Sequence, residues 1–109
     1  MESSTEAFRD DAQRARVCST LLGKTDLRGL WREAGPTERA RQLFAEGLKE
    51  LSSEKRTLFL MAWEIWREKT DLRFHDLRSL SRKRLYLVGS LLLAMAKGPD
   101  GVDEWLDDQ

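Results

Sequence analysis

A chain of 109 residues, 40% hydrophobic and 35% charged, is long enough for one apolar core, crowded for two domains, and too apolar for a disordered segment. Its 19 cations and 19 acids cancel to a formal net charge of zero, so overall charge gives no reason to expect a general nucleic-acid or membrane binder. The lone cysteine, Cys18, excludes an intramolecular disulfide, leaves a zinc site without its usual thiolates, and fits a reducing cytoplasm.

Residues 1–4 read as a flexible lead, and the stretch from Met1 to Asp11 is polar and acidic, unlike a signal peptide. A first helix is predicted from about Thr5 to Leu22, with Phe8, Ala12, Ala15, Cys18 and Leu22 on one face. That stripe is thin, which predicts peripheral packing. Gly23 stops it, Thr25 or Asp26 caps a short second helix over Leu27 to Ala34, and Gly35-Pro36 closes that one. A third helix follows from Pro36 or Thr37 to about Leu51. Its stripe of Ala40, Leu43, Phe44, Gly47, Leu48 and Leu51 is the clearest amphipathic pattern in the chain.

Ser52 and Ser53 cap a fourth helix, Glu54 to Lys69, that is apolar nearly all round and must be central or offer a second face to a partner. Thr70 or Asp71 caps a short segment through Leu80, and Ser81 caps the last long helix, Leu85 to Ala96 with its basic start, which Gly98, Pro99 and Gly101 end. The apolar run from Leu85 is twelve residues, short of the roughly twenty that span a bilayer. Val102, Trp105 and Leu106 form an amphipathic turn within residues 98–109, an acidic tail expected to dock by that side. No segment shows the alternation of a strand. The fold class is therefore all-α, a compact single-domain bundle of five or six helices over residues 1–109, with the third, fourth and last long helices as its core.

Charge is separated in the second half. From Lys55 to Lys97 ten Lys and Arg face four acids, whereas Gly98 to Gln109 holds five acids and no cation. Arg82, Lys83 and Arg84 stand at a helix start, where the partial positive charge and unpaired N–H groups favour acids. The triplet is expected to hold the tail around Asp103, Glu104, Asp107 and Asp108 and to exchange it for an external anion. A short echo, Lys24-Thr25-Asp26-Leu27-Arg28 and Lys69-Thr70-Asp71-Leu72-Arg73, reads as two helix junctions with Thr-Asp caps and not as a repeat.

Catalytic constellations are missing from the pattern. His75 is the one histidine, no glycine-rich phosphate loop occurs, and Glu64 and Glu68 have cations beside them, so no catalytic residue, metal or cofactor is assigned. Phe59, Leu60, Trp63 and Trp66 on the fourth helix are the candidate partner-binding residues, for a protein partner or a homo-oligomer. Arg73, Arg78, Arg82, Lys83 and Arg84 are the candidate anion or phosphate contacts. The apolar body behind them argues against base reading by that helix. The expectation is a non-enzymatic cytoplasmic interaction module, an adaptor or subunit of an assembly. The alternative is a nucleic-acid-associated subunit that grips phosphates nonspecifically.

Overall fold

Polar caps set where the helices of the computed structural model begin; it describes residues 7–23, 25–67 and 69–109. The Asp10 carboxylate accepts from the Gln13 N–H to open α1 (Asp11–Leu22), and Thr37 accepts from Ala40 to open α2 (Glu38–Ala45). Ser52 accepts from Lys55 at α3 (Ser53–Trp66), and Ser81 accepts from Arg84 at α4 (Arg82–Ala96). Each bond satisfies one of the N–H groups that a helix start leaves open. Residues 1–6 lie outside the described residues, but Ala7 to Asp10 are not helical: the Asp10 cap starts the first helix at Asp11, later than the expected Thr5.

Three further sequence expectations are corrected in the first half. The second helix does not form: Leu27 to Leu30 make a turn with Gly29 at φ 90°, and β1 (Trp31–Arg32) pairs antiparallel with β2 (Gly35–Pro36), Trp31 opposite Pro36 and Arg32 opposite Gly35. This small ladder also overturns the expectation of no strands. The third helix stops early. Gly47, at φ 79°, donates to the Phe44 carbonyl, and Leu48 donates back to the Leu43 carbonyl, a pair of bonds that ends a helix on a left-handed residue. Leu48 itself takes φ 59° and drops its side chain into the core.

The expected core is corrected as well. α1 lies against α3 and reaches the β-ladder, burying Ala15, Val17, Cys18, Leu21 and Leu22. Small side chains look like a thin stripe in the sequence, yet they are what a close helix crossing needs. Here the Cys18 Sγ–H reaches the Ala62 carbonyl at 3.1 Å. On the other side of α3, Trp63 stacks on Phe44 with ring centres 4.6 Å apart and meets Trp31 edge-on at 5.5 Å. Two faces of α3 are thereby consumed, one by α1 and one by aromatic rings.

The two echoed pentapeptides share one job. Thr25 and Thr70 accept from the N–H two residues on, making turns and not helix caps. Asp26 then pairs with Lys55 and Asp71 with Arg56, adjacent cations in the first turn of α3.

A 3₁₀ segment (Phe74–Ser79) leads to α4, and Gly98 at φ 89° leads to α5 (Pro99–Asp107). Pro99 starts α5 and suits the first helical position because it lacks only an N–H that would be unbonded there. α5 touches both α4 and α1. Val102, Trp105 and Leu106 are buried as expected of the tail's apolar side, and the Trp105 Nε1–H donates to Ser90 Oγ at 2.8 Å. The resulting all-α fold has a Cα radius of gyration of 13.4 Å, near the ~13 Å of a compact chain this size. Among the described residues no helix is long and apolar enough to cross a membrane.

Candidate functional site

α4 is the outer layer of the molecule and is apolar on two opposite faces. Its inner face buries Val88, Leu91 and Ala94, with Leu87 and Met95 half-buried beside them. At about 100° per residue, Leu85, Tyr86, Gly89, Leu92, Leu93 and Ala96 fall within a sector of roughly 120° on the other side, with Arg82 inside it. Tyr86 is 81% exposed, Leu93 70%, Leu92 55% and Leu85 42%. Nothing stands within 4 Å of where a Cβ on Gly89 would be. With Phe74, which is also exposed in the preceding 3₁₀ segment, these four are the large exposed hydrophobic residues of the described chain. Four on one helix face make a contiguous exposed apolar patch.

The residues expected to bind a partner are placed elsewhere. Phe59, Leu60 and Trp63 are buried in the core, because α1 and the aromatic cluster occupy the two faces of α3. Trp66 is half-buried: its indole lies over Gly35, where a Cβ would come within 2.5 Å of the ring, and the Arg67 guanidinium sits 5.2 Å from its centre. The exposed apolar strip expected on the fourth helix is thus found on the last long one.

The five anion candidates divide among different surroundings. Arg84 donates to Glu54 Oε1, and the Ser81 N–H donates to Glu54 Oε2, each at 2.5 Å. The Ser81 N–H, helped by Arg84, holds the Glu54 carboxyl below its ordinary pKa. Arg78 lines an open hollow of about 400 Å³ with Arg56, His75, Asp76 and the hydroxyls of Ser53, Thr57 and Ser79. Arg73 is exposed, and its N–H donates to Asp76 Oδ2 at 2.8 Å. Arg82 and Lys83 are exposed at the start of α4 and make no ion pair with a described residue.

The tail is not held by that triplet. Arg9 donates to Asp103 at 2.6 Å and to Asp100 at 2.8 Å, and buried Gln13 donates to Asp103 and to the Pro99 carbonyl, each at 2.9 Å. The Arg9 and Gln13 bonds hold the Asp103 carboxyl below its usual range. α5 folds back along α4 from Ala94 to Ser90, so its first turn meets α1 and leaves the basic start of α4 open. Sequence reading missed Gln13 and Arg9 because polar residues of the first helix carry no mark of a bond some ninety positions away. No protein-family model, curated protein or solved structure matches the chain.

Proposed function

We propose that this chain is a non-enzymatic protein-interaction module, an adaptor or a subunit of a larger assembly, which docks its partner on the outer face of α4. The exposed row of Leu85, Tyr86, Leu92 and Leu93 carries this reading. A rigid helix held from behind by α5 presents these side chains without an ordering step on binding, which favours affinity. Lone, buried Cys18 supports a reducing, cytoplasmic setting. The hollow with Arg56, Arg78 and His75 supports a second reading, nonspecific phosphate contact, which should weaken steeply with salt.

The test compares the full chain with the double variant Tyr86→Ser, Leu93→Ser as bait in extracts of its native cell. Both positions face solvent, so the variant should keep its fold by circular dichroism and lose the proteins retained by the parent. Equal retention by both baits overturns the reading. Oligonucleotide binding by fluorescence anisotropy at low salt reads out the alternative, and no binding there removes it.

A further inference from the structure

Resting on that reading of α4, we propose that the occupant of its outer face is α4 of a second copy of this chain, packed antiparallel about a two-fold axis near Gly89. The pattern of the face is symmetric about its middle. α4 runs from Arg82 to Ala96, and Gly89 is its central residue. Leu85 and Leu93 stand four positions either side, Tyr86 and Leu92 three, and Arg82 and Ala96 seven. A two-fold contact demands such self-complementarity, because the residue at one offset meets the residue at the opposite offset of the other copy. Antiparallel pairing about Gly89 sets Leu85 against Leu93 and Tyr86 against Leu92, twice over.

Within one copy no described residue packs on Gly89. Glycine in the middle of a helix destabilises it relative to alanine, and the space over this one is empty. A missing side chain at the centre of an exposed apolar face lets a second helix approach closely, since helix separation follows the side chains at the crossing. Arg82, which makes no ion pair with a described residue, also acquires a place. In the antiparallel pair Arg82 lies over the last turn of the other α4, where the carbonyl end of the helix dipole favours a cation. The four large side chains offer roughly 500 Å² per copy, so the pair buries about 1,000 Å², at the lower limit for a specific interface. This makes the dimer weak and concentration-dependent.

Sedimentation equilibrium of the full chain up to about 1 mM, the limit of weak association, should show a reversible monomer–dimer equilibrium. Gly89→Gln places a helix-forming side chain in open space and should keep the helix content while raising the dimer Kd about tenfold or more. Chains carrying Leu85→Cys and chains carrying Leu93→Cys should cross-link when mixed and oxidised, but Leu93→Cys alone should not; buried Cys18 stays silent. A strict monomer, a dimer indifferent to Gly89→Gln, or self-cross-linking of Leu93→Cys overturns the proposal. A monomer whose bound proteins are nevertheless lost with Tyr86→Ser, Leu93→Ser would sink the second copy and leave α4 as a surface for a different protein.

Discussion

Replacing Gly101 by Ala sets two opposed effects against each other at one atom. Gly101 lies within α5, and alanine exceeds glycine in helix propensity by about 0.8–1 kcal/mol, so propensity alone would stabilise the variant. The added Cβ would fall 2.5 Å from Lys97 Cβ and 2.7 Å from the Ala94 carbonyl oxygen. Neither atom can rotate aside, because one is backbone and the other is bonded directly to it. α5 must lift from α4, and overpacking of this kind costs about 1–3 kcal/mol. Lifting also loosens the 2.8 Å bond from Trp105 to Ser90, worth about 1 kcal/mol. The expected net loss is about 1–3 kcal/mol, or roughly 4–14 °C in Tm for a domain of this size. Gly89→Ala makes the same exchange in open space and should stabilise the monomer by up to about 1 kcal/mol. Urea and thermal unfolding followed by circular dichroism, at concentrations where the chain is monomeric, read both variants. A Gly101→Ala chain as stable as the parent would show that α4 and α5 are not in close contact there.

Two further expectations concern titratable groups. Cys18 is fully buried, and burial pushes its thiol well above the usual range. An aromatic disulfide reagent should therefore leave the folded chain unmodified and react only as fast as the chain opens; immediate reaction in native buffer would show that the α1–α3 contact is open. The second concerns acid. Asp103 and Glu54 have lowered carboxyl pKa values in the fold, so their contribution is present above the unfolded value of about 4 and is lost as pH falls through the lowered folded values. The urea midpoint should drop below about pH 4, and Arg9→Gln should lower it at neutral pH while flattening the acid limb. Parallel pH curves for Arg9→Gln and the parent would separate Asp103 from Arg9.

The outer face of α4 gives the basic triplet a different meaning from the one its sequence position suggests. Arg84 is turned inward to Glu54, which also binds the Ser81 N–H and so ties the start of α4 to the first turn of α3. Arg82 and Lys83 remain exposed with the apolar row behind them. One member therefore anchors the helix and the others flank its open surface.

Local chemistry alone determined the helical class, the caps at Thr37, Ser52 and Ser81, the close at Gly98, and the docking of Val102, Trp105 and Leu106. Each depends on neighbours a few positions apart: a hydroxyl reaching an N–H three residues on, a left-handed glycine, an apolar repeat. Two helices apolar on more than one side were also legible, but which of them would keep an open face was not. That depends on what is left to cover each, and tertiary packing spends α1, Trp31 and Phe44 on α3. α4 receives α5 behind it and, among the described residues, no element in front. The tail's attachment was equally hidden, because carboxylates look alike along a chain while only the fold decides whether Arg9 or Arg82 stands within 3 Å of Asp103.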